Sequence, residues 1–231
     1  MTPRNLALSA LNATDDSPGF YERYLVTAFT HHPDLDERDR AFVVHLVQGV
    51  LRWQIRLDWI IRQSVQFPFK KIEPAILNIL RLALYQIFFM DRVPDRAAVN
   101  EAVKQAGRGR NPHVRGFVNG ILRQICREKQ AISFPDASKD RHRYLSLYYS
   151  YPLWLVRKWV RELGQEGAEA LLEAGNRIPE RVIRTNFLKI GRKGLIHKLT
   201  EEGVLASACT YSPEGIGIQA VSYTHLRAHE T

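Results

Sequence analysis

The chain has 231 residues, 45% of them hydrophobic and 10% aromatic, which is enough for one large or two small folded domains and excludes an intrinsically disordered protein. Lysine and arginine number 33 against 24 acidic residues, so the net charge of +9 favours a polyanionic partner such as nucleic acid. The two cysteines lie far apart in the sequence, which excludes a disulfide framework and a zinc site built on paired cysteines.

The N-terminal third of the sequence predicts three helices. Amphipathic patterns cover residues 3–13 and 18–30, and Asp34 with Glu37 predicts the start of a third helical stretch that continues to about residue 65. The first sixteen residues lack the charged head and long apolar run of a signal peptide, so we expect a cytoplasmic protein.

Residues 72–90, IEPAILNILRLALYQIFFM, form the most apolar stretch and predict a helix that is buried on nearly all sides. Pro74 suits the first helical turn, and a narrow polar stripe contains Asn78, Arg81 and Tyr85. Asn78, Arg81 and Gln86 interrupt the run too often for a membrane span. We therefore expect this helix to be the hub of a helical bundle.

Two further helices are predicted after the hub, and the second has a basic face. Residues 95–106 form a short helix that ends at Gly107, and a loop of sequence GRGRNP leads into a helix that begins at Pro112. Cations of this loop and helix fall on one surface, which predicts contact with a nucleic-acid backbone; an ordinary solvated face is the alternative. The cations are Arg108, Arg110, Arg115, Arg123 and Arg127.

A change of composition predicts a domain boundary, with a helical domain at 1–131 and a linker at 132–151. Pro152 then opens a helix that ends at Gly164, and a further helix covers residues 166–175. The aromatic residues of this region are predicted to be core, although they could stack on bases. They are Tyr148, Tyr149, Tyr151, Trp154 and Trp159.

Residues 181–186 and 204–209 have strand character, and a helix is predicted between them at 192–202. Gly215 and Gly217 are interpreted as a turn. A strand, a helix and a strand cannot bury both faces of a sheet, so residues 152–220 are predicted to end in an incomplete α+β segment. Residues 221–231, VSYTHLRAHET, continue none of these patterns and are interpreted as a non-native read-through tail.

Two stretches resemble one family. The sequence LRLALYQIFFMDRVPDRAAVNEAVKQAG, followed by FVNGILR, resembles the NusB-like all-helical domain. The sequence YSYPLWLVRKWVRELGQEGAEALLEAGNRIPERVIRTN resembles the next segment of the 16S rRNA cytosine-5 methyltransferases of the Sun/RsmB family. The resemblance implies a mainly α fold, with a NusB-like bundle, a helical linker and an incomplete ferredoxin-like or RRM-like α+β segment.

The resemblance also implies a function for the chain. Family enzymes use S-adenosylmethionine and two catalytic cysteines in a later domain, and neither Cys126 nor Cys209 matches those positions. We therefore expect the chain to be truncated before the catalytic domain, to be inactive alone and to hold no cofactor. It would be a monomer that binds small-subunit rRNA and packs on the catalytic domain of the complete polypeptide, without contact to a membrane.

The resemblance implies an RNA contact at Arg4, because NusB-like domains carry arginine in their N-terminal helix. The other predicted RNA contacts rest on surface chemistry, and the scattered histidines predict no metal site. Besides Arg4, the predicted RNA-binding residues are Lys104, Arg108, Arg110, Arg115, Arg123, Arg127, Arg181, Arg184, Arg192 and Lys193.

The sequence leaves two alternative functions open. A stand-alone NusB-like antitermination factor would also bind RNA, but it would leave residues 152–220 without a role. A helical scaffold for an acidic protein would also use a basic surface, but arginine rather than lysine dominates around the glycine-containing loop, which favours phosphate.

Overall fold

The computed structural model describes residues 1–16, 21–107 and 112–219. Within these ranges the chain is mainly helical, as the sequence predicts, with one small sheet near the end of the described chain. The helices are α1 (Pro3–Asp16), α2 (Tyr21–His31), α3 (Glu37–Ser64), α4 (Pro74–Phe89), α5 (Asp95–Ala106), α6 (Pro112–Arg127), α7 (Arg141–Tyr149), α8 (Leu153–Asn176) and α9 (Arg192–Glu201). The strands are β1 (Arg181–Arg184), β2 (Leu205–Ala208) and β3 (Gly215–Gln219).

Helix α4 is the hub of the bundle, as predicted. Every residue from Ile76 to Ile87 is buried, and Leu80 is fully enclosed. Its neighbours α1, α3, α5 and α6 pack against it and bury their own apolar faces in the same core. The arrangement agrees with the expectation that an all-round apolar helix must be surrounded by other helices.

Helix α3 starts later than the sequence suggested. Asp36, rather than Asp34, caps its N-terminus, because the Asp36 side chain accepts a hydrogen bond of 2.6 Å from the backbone N–H of Asp39. Further along, Gly49 allows α3 to approach α4 closely. A Cβ atom at Gly49 would lie 1.9 Å from Tyr85 Cζ, so no other residue fits without displacing the tyrosine.

The segment predicted to be a linker lies along α3. Trp59 Nε1 donates a hydrogen bond to the main-chain oxygen of Ser133. At the other end of the segment, Arg56 Nη1 donates a hydrogen bond to the main-chain oxygen of Tyr148. Ser150 Oγ accepts a hydrogen bond from the backbone N–H of Ile55. These bonds, with the packing of α7 on both α3 and α8, place α8 in one compact unit with the bundle, Met1–Asn176.

Helix α8 is broken at Gly164, as the sequence predicts. This glycine has φ 72° and ψ 176°, a conformation that side chains with a Cβ rarely adopt. The helical axis therefore changes at Gly164, and α8 consists of two shorter helices in succession.

A second compact unit begins at Arg177 and contains the sheet. The strands are antiparallel in the order β1-β3-β2, and α9 covers one face. The interpretation of Gly215 and Gly217 as a turn is wrong, since both lie in the central strand β3. Ile216 and Ile218 alternate with them and are buried, so the period-two pattern of a strand is present despite the glycines.

Candidate nucleic-acid interface

Helix α6 carries a stripe of cations on the side that faces away from the bundle. Four aliphatic side chains hold the helix on the core: Val118, Ile121, Leu122 and Ile125. Arg115, Arg123 and Arg127 are exposed. Because residues four apart on a helix are neighbours, Arg123 and Arg127 are adjacent, and Asn119 connects them to Arg115. We call Arg115, Asn119, Arg123 and Arg127 the α6 stripe.

Arg115 extends across the end of α5. A Cβ atom added to Gly107 would lie 2.9 Å from Arg115 Cδ, so the arginine stem passes directly over the end of α5. Arg108 and Arg110, the other two members of the predicted cluster, lie outside the described residues. The described part of that cluster is therefore the α6 stripe.

A groove of about 460 Å³ lies beside the α6 stripe, between α5 and α6. Arg123 and Arg127 line it, and Arg96 from α5 adds a guanidinium that sequence reasoning missed. Arg96 and Asn100 are four residues apart, and this polar spacing on α5 could have revealed the second wall. Guanidinium groups can contact phosphate oxygens and also stack on nucleobases, so the groove suits a nucleotide.

Both cysteines are half-buried thiols, and one of them belongs to the groove. Cys126 lines the groove and packs against the core of the bundle, while Cys209 follows strand β2. Burial raises the pKa of the Cys126 thiol, and the nearby carboxylate of Asp95 raises it further. At neutral pH this thiol is therefore mostly protonated, which makes it a weak nucleophile.

Arg4 is a half-buried residue that connects several helices. Its Nε donates a hydrogen bond of 2.7 Å to Gln86 Oε1, and its guanidinium carbon lies 5.2 Å from the centre of the Phe42 ring. Gln105 Nε2 in turn donates to the main-chain oxygen of Arg4 at 3.0 Å. Arg4 thus joins α1 to α3, α4 and α5, and its contact with RNA stays a prediction.

Lys104 is exposed on α5 and forms an ion pair within its own helix. Its Nζ atom lies 2.7 Å from Glu101 Oε1, one helical turn away. Exposed pairs of this kind contribute little to stability and are readily exchanged for another anion. Lys104 therefore remains able to contact a phosphate.

The second unit places its predicted cations in two groups. Arg181 and Arg184 are exposed on β1, and Arg184 Nε lies 2.5 Å from Glu214 Oε2. Arg192 Nη1 donates a hydrogen bond of 3.0 Å to the main-chain oxygen of Ser212, whereas its neighbour Lys193 is exposed at the start of α9. Arg184 and Arg192 thus each contact another residue of this unit.

The aromatic residues near α7 and α8 are mostly packed, as predicted. Tyr149, Tyr151 and Trp159 contact the small core formed by Leu145, Val156 and Leu172. Tyr148 stacks on Tyr144 with ring centres 5.3 Å apart. Trp154 differs, since 67% of its surface is exposed.

The described parts of the chain contain neither a metal-binding cluster nor a membrane-spanning helix. Among residues 1–16, 21–107 and 112–219, no group of three or more histidine, cysteine or acidic side chains is arranged to hold a metal ion. None of the helices in these same ranges is both long and apolar enough to cross a membrane.

Comparison with known families gives two matches that follow each other along the chain. Residues 1–127 match the NusB family. Residues 151–222 match the ferredoxin-like domain of the RsmF/B-like methyltransferases. The boundary between the matches falls within the segment that contains α7.

Curated relatives align with most of this chain and are longer than it. A Bacillus subtilis protein named probable ribosomal RNA small subunit methyltransferase B is 33% identical over 201 residues, which are 87% of this chain and 44% of the relative. Ribosomal RNA small subunit methyltransferase B of Pseudomonas putida is 35% identical over 182 residues, which are 79% of this chain and 40% of the relative. The chain thus spans less than half the length of these relatives.

A solved structure shares the fold over nearly the whole chain. The crystal structure of PH0851 superposes with a TM-score of 0.66 and covers 96% of this chain and 49% of that protein, at 20% sequence identity. At this identity the likeness concerns the fold alone.

Proposed function

The chain belongs to the NusB family, and from this premise we propose that it is the RNA-targeting portion of a small-subunit rRNA (cytosine-5-)-methyltransferase. The match of residues 151–222 to a methyltransferase-associated domain and the names of the curated relatives support this proposal. Its target is small-subunit rRNA in the cytoplasm. Methyl transfer from S-adenosylmethionine belongs to the part of the relatives that this chain does not span, and that part is the packing partner of this otherwise monomeric chain.

The observation that carries the proposal is the α6 stripe together with the groove beside it. Arg123 and Arg127 are exposed, stand one helical turn apart and share the groove with Arg96. Such an array can neutralise successive phosphates of one RNA segment and release their counterions. Arg115 and Lys104 extend the same surface in the proposal, and Arg4 contributes from α1. Arg108 and Arg110, which lie outside the described residues, are proposed as RNA contacts from their sequence alone.

In the second unit we assign a supporting role to the exposed cations. Lys193 is the best placed for phosphate contact and Arg181 is an exposed candidate on β1, whereas Arg184 and Arg192 must exchange an internal partner for RNA. Breaking the internal contact offsets part of the free energy gained from binding a phosphate. Arg184 and Arg192 therefore contribute less to RNA affinity.

The test is binding of the chain to a fluorescently labelled small-subunit rRNA fragment, measured by anisotropy at several salt concentrations. We expect the double variant Arg123→Ala/Arg127→Ala to bind more weakly. The slope of log affinity against log salt should fall by about 1.4 to 1.8, because each lost phosphate contact removes about 0.7 to 0.9.

The matched control removes two exposed cations that lie on neither α5 nor α6. Arg38 is at the start of α3 and Lys70 lies between α3 and α4, so the variant Arg38→Ala/Lys70→Ala has the same net charge as the test variant. The control should keep the affinity and the slope of the unmodified chain. Equal losses in both variants would mean that net charge alone attracts RNA, and an unchanged test variant would refute the α6 stripe as the binding surface.

The antitermination alternative has less support. A free-standing NusB-like factor uses only the helical bundle, and it gives no role to residues 151–222, which match the methyltransferase-associated domain. No feature of the described residues favours it over the methyltransferase assignment.

A further inference from the structure

The first half of α8 presents a second surface with the chemistry of nucleic-acid recognition. Trp154, Arg157, Lys158 and Arg161 stand three, four and seven residues apart. At about 100° per residue they fall within one sector of roughly 100° on the helix. Val156, on the opposite side, is fully buried and fixes which face of the helix points outward. We call these four residues the α8 face.

All four members of the α8 face are exposed. Trp154 keeps 67% of its surface in contact with solvent, whereas Trp53, Trp59 and Trp159 are each partly buried. The fold does not use Trp154 in a core, because Val156 and Trp159 supply the packing of this part of α8. An exposed tryptophan on an ordered helix is therefore a candidate contact for a partner.

The three cations of the α8 face have no internal partner among the residues that the structure describes. The side chains of Arg157, Lys158 and Arg161 form no ion pair and no hydrogen bond within those ranges. Arg141, one helix earlier, shows the contrast, since its guanidinium is bound to Glu169. The acidic residue nearest in sequence is Glu162, which lies beside this sector and is itself exposed.

We propose that the α8 face binds single-stranded RNA, with Trp154 stacked on an unpaired base and the three cations on the flanking phosphates. The distance along the helix from Trp154 to Arg161 is about 10 Å, at about 1.5 Å per residue. This length matches about three stacked nucleotides at 3.4 Å each. A tryptophan ring can stack on any base, so this surface favours unpaired RNA over a duplex without selecting a sequence.

The inference rests on the proposed function for its partner, but it concerns a different element. The α6 stripe lies in the part of the chain that matches the NusB family, whereas the α8 face lies in the segment that matches the methyltransferase-associated domain. The α8 face thus lies outside the part of the chain that matches the NusB family.

The first test compares Trp154→Ala and Trp154→Phe for binding to a single-stranded RNA oligonucleotide and to an RNA duplex of equal length. We expect Trp154→Ala to bind the single strand at least about fivefold more weakly, the lower limit for loss of one stacked base, and to bind the duplex as before. The phenylalanine variant should recover most of the affinity. Because Trp154 is exposed, both variants should unfold at the temperature of the unmodified chain.

A spectroscopic readout identifies the stacking directly. Addition of the single strand should quench tryptophan fluorescence of the unmodified chain, and this quenching should be largely absent in Trp154→Phe. Equal quenching in the two proteins would overturn the assignment of Trp154, as would equal affinity of Trp154→Ala for the single strand.

The second test removes the phosphate contacts. Arg157→Ala/Lys158→Ala should lower the salt slope for the single strand by about 1.4, at about 0.7 per phosphate, whereas Trp154→Ala should leave the slope unchanged. The control Arg38→Ala/Lys70→Ala has the same net charge and should retain the full slope. A normal slope in the α8 double variant would refute the inference.

The two proposals fail in different ways. Loss of RNA binding in Arg123→Ala/Arg127→Ala, with normal behaviour of every α8 variant, would refute the α8 face and leave the proposed function intact. Loss in the α8 variants alone would support the α8 face and refute the α6 stripe as the carrier of the proposed function.

Discussion

Arg81 lies on the hub helix α4 and its guanidinium is buried in the bundle. Nε and Nη2 donate hydrogen bonds of 2.7 and 2.8 Å to the two carboxylate oxygens of Asp58 on α3. Nη1 donates to Asn78 Oδ1, and Asn78 Nδ2 donates to Asn12 on α1. Asn78 and Arg81, two members of the polar stripe of α4, thus belong to a connected chain of hydrogen bonds between three helices.

The sequence predicted this stripe but could not predict its partner. Asn78, Arg81 and Tyr85 follow the helical period, so their common face was visible. Asp58, 23 positions earlier, lies on a helix with many other charged residues, and only the packing of α3 on α4 selects it. Long-range pairing of this kind depends on three-dimensional packing and leaves no local signal.

The buried pair gives a prediction at the scale of single residues. Asp58→Ala should lower the free energy of unfolding by about 3 to 5 kcal/mol, because it leaves the Arg81 charge buried without a partner. Chemical denaturation followed by circular dichroism measures this loss. The exposed carboxylate of Asp91 provides a control, and Asp91→Ala should change stability by less than about 0.5 kcal/mol.

The double variant Asp58→Leu/Arg81→Met tests the physical reason. It removes both charges together and should be more stable than Asp58→Ala, since no unpaired charge stays in the interior. If the double variant were as unstable as Asp58→Ala, altered side-chain packing rather than an unpaired charge would explain the loss of stability.

At the scale of elements, the helices followed from local patterns and the third strand did not. Helix α5 begins and ends at the residues predicted for it, because a proline before the helix and a glycine after it mark both ends. Strand β3 was missed because Gly215 and Gly217 are typical of turns, and the signal of a strand was limited to Ile216 and Ile218. The exposure of Trp154 was also missed, since the spacing of aromatic residues alone does not say which face of α8 is covered.

The break in α8 yields a prediction at this scale. Gly164→Ala should destabilise the chain by about 1 to 3 kcal/mol, because alanine is strained at a φ of 72° and a ψ of 176°. No atom lies within 4 Å of the position that its Cβ would take, so a loss of stability would come from the backbone alone. Thermal unfolding of the variant measures it.

Gly120 in α6 is the matched control for this substitution. It lies within a regular helix, and a Cβ atom there would also meet no atom within 4 Å. Gly120→Ala should therefore stabilise the chain by about 0.5 to 1 kcal/mol. Stabilisation by both substitutions would show that Gly164 is not under conformational constraint in solution.

For the whole molecule, the fully buried residues of the main core all lie within 1–131, the helical domain predicted from the sequence. The buried members of that core run from Leu6 to Ile125, and α4 is covered by helices from the same range. Composition and periodicity were enough to predict this, because one strongly apolar helix requires amphipathic neighbours. The docking of residues 133–150 on α3 could not be predicted, since it depends on hydrogen bonds to main-chain oxygens that carry no sequence signal.

We predict that residues 1–131 fold alone but with a lower melting temperature than residues 1–176. The shorter chain keeps the core, so its thermal transition should be cooperative. It loses the contacts of Arg56 and Trp59 with the segment that contains α7, so it should unfold at a lower temperature. Differential scanning calorimetry of both chains measures the difference.

Two outcomes would contradict this prediction. An aggregated or uncooperative product from residues 1–131 would mean that α7 and α8 are required for the bundle to fold. Equal melting temperatures would mean that the docked segment adds no stability to α3.

The docked segment also determines how α6 and α8 can act on one RNA molecule. Because α7 packs on both α3 and α8, the two basic surfaces belong to the same compact unit and are not joined by a flexible tether. Once a strand is held by one surface, its encounter with the other becomes intramolecular and depends on an effective concentration rather than on the concentration of free RNA. Two individually weak contacts can thereby give tight binding, but only to RNAs whose length and shape allow both to form at once.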